Sequence, residues 1–211
     1  MDEYSIWVLE YALSPVHPVS GVYYGEHNKG TMKLPFSFVL IKGRDGVALV
    51  DVGYPTDFGG EIAQSIGVTN WTSPETVLAQ CGVRPDEVTH IFLTHAHFDH
   101  IGGLRYFPAA RIFIQQKELD SWTSLLSKGP RFRSLLTGLN PADVICLVRA
   151  NIEGRLELID GFRENVLPNI DLHPAHDTHT AGSQYVVVRG PGGSDPNSCC
   201  QATSFIPTRT C

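Results

Sequence analysis

Positive charge is scarce and nowhere concentrated: 16 lysines and arginines stand against 22 aspartates and glutamates, a formal charge of −6 with a pI near 5.8. Nucleic acids and anionic membranes are held by basic patches that displace counterions, so neither is an expected partner. No apolar run approaches the roughly 20 residues that a membrane-spanning helix needs. The opening, MDEYSIWVLEYALSP, begins acidic and has no basic segment ahead of an apolar core, which argues against a secretion signal and for a cytoplasmic protein. Without such a signal, the glycosylation sequon Asn70-Trp71-Thr72 reads as a chance match in a polar loop. Cysteine is sparse too, and three of the five, Cys199, Cys200 and Cys211, crowd the C-terminus. An odd, end-loaded set is no disulfide framework, and Cys81 and Cys146 are expected as small buried apolar residues. There is no GxSxG, which disfavours a serine nucleophile. Internal repeats are lacking as well.

What is present is an ordinary globular composition, 42% apolar over 211 residues, enough for one domain with a sizeable core. Apolar and β-branched runs bounded by Gly, Pro and Asp predict strands at Ser5 to Tyr11, Phe36 to Lys42, Val47 to Val52, Thr89 to Thr94 and Arg111 to Ile114. Further strands are expected at Arg155 to Ile159, Asp171 to Pro174 and Gln184 to Arg189. Ser73-Pro74 followed by Gly82 brackets a helix, Gly103 to Tyr106 starts a short one, and longer ones fit Gln115 to Leu126 and Pro141 to Arg149. After Arg189 the text changes to GPGGSDPNSCCQATSFIPTRTC, with neither strand alternation nor helical period. The expectation is a domain over 1–189 and an aberrant, disordered tail over 190–211.

The densest chemistry lies in THAHFDHIGG, Thr94 to Gly103, where His95, His97, Asp99 and His100 fall within one short stretch. Neutral imidazole offers zinc a nitrogen ligand and a carboxylate compensates its charge. Residues two apart on extended chain point the same way, so His95 and His97 can grip one ion at the end of the preceding strand. Asp99 and His100, past the bend at Phe98, can face a second ion. Gly102 and Gly103 let the backbone pass close by. Chance surface histidines would not explain four ligands directly after a buried strand.

HxHxDH in this form resembles the signature of the metallo-β-lactamase superfamily of binuclear metallohydrolases. Leu49-Val50-Asp51-Val52-Gly53 is similar to the family strand ending in DxG, which implies that Asp51 buttresses the metal loop. Asp177 to Ser183, DTHTAGS, resembles the family's GHTxGS segment and implies His179 as the third histidine of the first metal. His173 and His176 fall outside that pattern and take structural or supporting roles; His17, His27 and His90 are read as packing residues. WVLEY, YYGEHNKGTMKLPFSFVLIKG and the helical insert after Ile114 look like the N-acyl homoserine lactonase-like branch, over most of residues 4 to 189. The resemblance implies an αββα sandwich of two mixed sheets and two Zn²⁺ per chain. It also implies a metal-bound hydroxide that attacks a small-molecule lactone or ester. Asp99 would be both a ligand and the catalytic proton shuttle. Thiolester hydrolases of the glyoxalase II type share the motif, but the basic glutathione-binding residues they carry near the C-terminus are not found.

The family pattern then breaks. A second strand ending in Gly-Asp, whose aspartate bridges both metals, and a final histidine should follow QYVVV, and neither does. Asp195 sits in a turn, Gly-Ser-Asp-Pro, and no histidine follows His179. The second metal keeps only Asp99 and His100, so its site is incomplete and the sandwich is cut short in its C-terminal half. Such a cut would expose a sheet edge and apolar faces and favour association. Back-translation of Asn197 to Pro207, with serines as TCN, suggests a cause. Reading from the third base of each codon permits Leu-Val-Leu-Ser-Gly-Asp-Val-Val-Tyr-Ser, and the next shifted codon, which runs into Thr208, permits Tyr. Cys199 to Cys200 forces Leu, and Ala202 to Thr203 allows Asp. The tail is therefore expected to be frameshifted or mis-spliced from about Gly190. The chain is either a lactone hydrolase or a catalytically impaired fragment of one.

Overall fold

The computed structural model describes residues 4–23, 25–44, 46–56, 64–136, 138–190 and 199–202. A six-stranded sheet is built in chain order from β1 (Ser5–Pro18), β2 (Thr31–Gly43), β3 (Gly46–Val50), β4 (Val88–Phe92), β5 (Arg111–Gln115) and β6 (Leu156–Ile159). Its first three strands pair antiparallel and the rest are parallel. The parallel pairs need crossovers. Three of these carry helices: α1 (Pro74–Gln80) between β3 and β4, α2 (Phe98–Ile101) between β4 and β5, and α3 (Gln116–Ser127) with α4 (Pro141–Ile152) between β5 and β6. A second sheet has the order β10 (Cys199–Ala202), β9 (Gln184–Arg189), β8 (Ile170–Pro174), β7 (Arg163–Leu167).

Helix ends follow their local chemistry. The Ser73 hydroxyl accepts from the Thr76 N–H and Pro74 opens α1, while the Asn140 side chain accepts from Ala142 N–H at the start of α4. Val144, Leu147 and Ala150 line the buried face of α4 at helical spacing.

Two cores share the first sheet between them. On one face Leu9, Tyr11, Phe38, Leu40, Leu49, Ile91, Ile112 and Ile114 pack with Leu78, Phe107 and Leu147 from the helical side. On the other, Ile41, Val50, Phe92 and Phe113 meet Ile170, Leu172, Val186 and Val188 of the second sheet. Sheet packs on sheet with helices outside the first, which is the sandwich expected from the resemblance.

Several particulars differ from the expectations. The second sheet is antiparallel throughout its described strands rather than mixed. β1 runs seven residues beyond Tyr11, because its ladder with β2 continues through two bulges to Pro18 opposite Thr31; backbone pairing does not require the apolar alternation to persist. β7 was not foreseen, since RENVL is polar and is a strand only through pairing with β8. Cys146 is exposed rather than buried: it lies on the face of α4 opposite Val144 and Leu147, while Cys81 is half-buried against the core. Among the described residues of the tail, Cys199–Ala202 pairs antiparallel with β9, Cys199 opposite Arg189 and Ala202 opposite Val186. An edge strand offers unpaired N–H and C=O groups that any extended segment can satisfy. The remainder of 190–211 beyond Gly190 lies outside the described residues.

Candidate metal centre

The centre forms where β3 and β4 end. Asp51, directly after β3, has φ +62°, and this turn aims its carboxylate across the ends of both strands. Oδ1 accepts from the Thr94 N–H at 2.8 Å, both oxygens lie within 3.0 Å of the Thr94 hydroxyl, and Oδ2 meets His100 Nδ1 at 2.7 Å. The aspartate is buried, so every acceptor site it fills counts. Gly103 is there for proximity: a Cβ would sit 2.1 Å from Val52 O, while its N–H donates to Gly53 O. From β1, the buried Tyr11 hydroxyl donates to Asp99 O and fastens the motif helix from beneath.

His95, His97 and His179 converge. Their ligand nitrogens all lie within 4.8 Å of one another, with His97 Nδ1 3.1 Å from His95 Nε2 and 3.0 Å from His179 Nε2. A tetrahedral zinc with Zn–N near 2.05 Å would space its nitrogens about 3.3 Å apart, and the two separations at His97 Nδ1, 3.1 and 3.0 Å, lie within a few tenths of an ångström of that spacing. The Thr94 hydroxyl lies 3.1 Å from His95 Nδ1 and so leaves Nε2 to face the others. Burial lowers the pKa of all three imidazoles, and the neighbouring imidazoles lower it further; His97 is brought down to about 4. All three rings are neutral at pH 7, with lone pairs available to a cation.

Asp99 and His100 form a second, separate pair. His100 sits between two carboxylates, Nδ1 on Asp51 and Nε2 3.2 Å from Asp99 Oδ2. Burial opposes the charge on His100, but Asp99 and Asp51 outweigh it and raise its pKa well above the usual value. Burial would likewise raise Asp99, yet the charge and hydrogen bond of His100, with His97, hold it at about 2. A cation at this position would have to displace the proton on His100 Nε2. Among the described residues only Asp99 and His100 are placed to serve it.

Three buried side chains that shape the centre were not singled out in the sequence. Glu118 on α3 accepts from Ala96 N–H, Trp122 Nε1, Thr180 Oγ1 and Gly182 N–H. Gln184 donates to Leu93 O and Phe113 O, and Gln115 donates to Gln184 Oε1, tying β4, β5 and β9 together beneath the histidines. A glutamate beside Leu119 in an amphipathic helix reads as solvent-facing; the available hint was Trp122 four residues on, whose indole needs an acceptor when it is buried. The other histidines lie elsewhere: His176 Nε2 contacts Gln115 Oε1, His173 stacks on Tyr185, and His90 stacks on Phe113.

Beside the triad opens a cavity of about 450 Å³, lined by His97, Ser121, Trp122, Leu125, Leu135, His179, Thr180 and Ala181. Trp122, Leu125 and Leu135 give it apolar walls, the imidazoles of His97 and His179 border it, and no Lys or Arg is among its described lining residues. No helix among the described residues is long and apolar enough to cross a membrane.

The family model described as the metallo-beta-lactamase superfamily matches residues 35–194, more than half of the chain. The chain belongs to that superfamily. Among curated relatives it is similar to an N-acyl homoserine lactonase of Bacillus cereus, 30% identical over 100 residues that cover 43% of this chain and 40% of the relative. It is also similar to the N-acyl homoserine lactonase AiiB of Agrobacterium fabrum, 34% identical over 106 residues, covering 46% and 38%. The matched stretch spans about two-fifths of these relatives' length. Among solved structures it resembles AidC, a dizinc quorum-quenching lactonase, with a TM-score of 0.67 at 21% identity, covering 94% of this chain and 70% of AidC. A probable metal-dependent hydrolase from Staphylococcus aureus gives a TM-score of 0.65 at 20% identity, covering 89% and 69%. These likenesses establish the fold.

Proposed function

We propose that the chain is a zinc-dependent hydrolase that opens lactone rings of the N-acyl homoserine lactone type. One observation carries this: the nitrogens of three imidazoles converge within 4.8 Å of one another, and two of the three, His97 and His179, line an adjoining cleft with Trp122, Leu125 and Leu135. His95 Nε2, His97 Nδ1 and His179 Nε2 would hold the first cation, and Asp99 with His100 would serve a second. Bound there, the cations supply Lewis acidity for a carbonyl and lower the pKa of water. Asp99, whose side chain is 20% exposed, would carry a proton to the oxygen released as the ring opens. Trp122, Leu125 and Leu135 present an apolar wall that fits an acyl chain and excludes water. The described lining residues, none of them Lys or Arg, favour a neutral lactone over an anionic glutathione thiolester.

A second reading, a catalytically impaired chain, is favoured by the sparse ligand set of the second position. Metal analysis of purified protein together with a ring-opening assay separates the two. Close to two metals per chain with turnover of an N-acyl homoserine lactone is the expected result. One metal or none, with no ring opening, would leave the impaired chain as the answer.

We also propose that the residues after about Gly190 are read in a shifted frame. β10 runs antiparallel to β9 toward Gln184, whose N–H donates to Thr94 O beside His95. That direction supports the reading, because the alternative frame places its Gly-Asp at the codons of Gln201 to Thr203, at the end of β10 nearer the histidines. Sequencing of the gene and its transcript is the test; a shifted frame that stops at once would overturn it.

A further inference from the structure

We propose that Glu118 is a positioning residue of this centre: its carboxylate, buried between the two histidine-bearing loops, sets the distance of His179 from His95 and His97. The proposal rests on the metal-centre reading above. Glu118 has no solvent exposure. Oε1 accepts from Ala96 N–H at 2.9 Å and from Trp122 Nε1 at 2.8 Å. Oε2 accepts from Thr180 Oγ1 at 2.8 Å and from Gly182 N–H at 2.7 Å.

Ala96 lies between His95 and His97, and Thr180 follows His179, so one carboxylate holds both ligand-bearing segments through one oxygen each. These segments are distant in sequence, and the two ligands His97 and His179 are 82 residues apart. Nothing local fixes their separation. The Ala96 N–H, one residue from both His95 and His97, limits where their Cα atoms can lie, the Thr180 hydroxyl and the Gly182 N–H do the same for the His179 loop, and a rigid carboxylate joining these bonds fixes the gap between the loops.

The fit is close on the other side as well. A Cβ on Gly182 would fall 2.2 Å from Glu118 N and 2.6 Å from its Cα, so a glycine there is what allows the first turn of α3 to reach the His179 loop. On the surface, Lys117 Nζ pairs with Asp177 Oδ2 at 2.6 Å and ties the same helix to the same loop. Burying a carboxylate is costly unless it is fully bonded, and here four donors converge on it. A leucine could fill this volume but could not tether two backbone N–H groups. The carboxylate also places a negative charge close to where a cation would sit.

The test compares cobalt(II) binding to metal-stripped wild type, Glu118→Gln and Thr180→Val, by competition with a chromophoric chelator and by the visible spectrum of the bound ion. In Glu118→Gln an NH₂ group must face one of the two loops. Cobalt affinity of the folded protein should fall about ten- to hundredfold, with a shifted spectrum. Thr180→Val removes a single arm, and should lower affinity in the same direction by a smaller factor. If Glu118→Gln does not fold, Thr180→Val decides. Variants that melt earlier but bind cobalt with wild-type affinity and an unchanged spectrum would reduce Glu118 to a stability role and overturn the proposal, leaving the metal centre intact. Wild type that binds no cobalt would overturn the metal centre itself, and this proposal with it.

Discussion

At the scale of residues, the centre is a set of imidazoles whose protonation works in two directions. His95, His97 and His179 have pKa values lowered from 6.5, chiefly by burial. On acidification the unfolded chain takes up protons that the folded one refuses, so their contribution to stability is full above 6.5 and is lost as pH falls through each lowered folded pKa, about 4 for His97. His100 has the opposite sign, its contribution being present below 6.5 and lost only as pH rises through its raised folded pKa. Asp99, held at about 2 against an ordinary 3.8, contributes above 3.8 and loses this as pH falls toward 2. His17 and His90, also lowered chiefly by burial, act in the same direction as the triad, so chelator-treated protein should gain stability as pH rises toward 6.5, and His97→Asn should flatten that rise. Urea unfolding at several pH values measures both. Asp51→Asn turns an NH₂ group toward a donor, costing about 1–3 kcal/mol of stability by the same measurement; an unchanged urea midpoint would refute the buttressing role.

At the scale of elements, close approach of backbones decides what is tolerated. Gly103→Ala should destabilise by about 1–3 kcal/mol or more, since its Cβ meets a carbonyl oxygen that the strand end cannot move. Gly102→Ala, whose nearest contact is Pro55 Cδ at 3.1 Å, should cost less. Thermal melts of the two variants give the order, and a reversed order would contradict the packing described. Much of this scale was legible in advance. The cap at Ser73 and the cap at Asn140 carry their own signals, and β3, β4, β5 and β9 are apolar runs whose burial requires no partner to be known. β7 and β10 were not legible, because RENVL and CCQA lack the apolar alternation of a strand and each becomes one only through its ladder with β8 or β9.

At the scale of the whole molecule, the site joins the ends of two sheets and a helical layer, so cation binding should stabilise the fold as a unit. At a free metal concentration of about 100 times Kd the gain is about 2.7 kcal/mol, or roughly 5–10 °C in Tm for a domain of this size. Calorimetry with and without chelator should show it, and His179→Ala should abolish the difference. A His179→Ala protein that still shows the full shift would place the cation elsewhere. Among the described strands β10 lies at one edge of the second sheet.

HAHFDH, DVG and HTAGS declare their chemistry locally, because ligand identity and two-residue spacing on extended chain are properties of a few adjacent positions. The superfamily and the layered architecture were therefore readable from the linear text. Tertiary structure alone decided which groups support the ligands. Glu118 and Gln184 become part of the centre only when α3 and β9 pack against the end of β4, and a carboxylate shared by two loops leaves no periodic trace. The strand at Cys199–Ala202 has the same origin: its partner, not its own composition, makes it a strand.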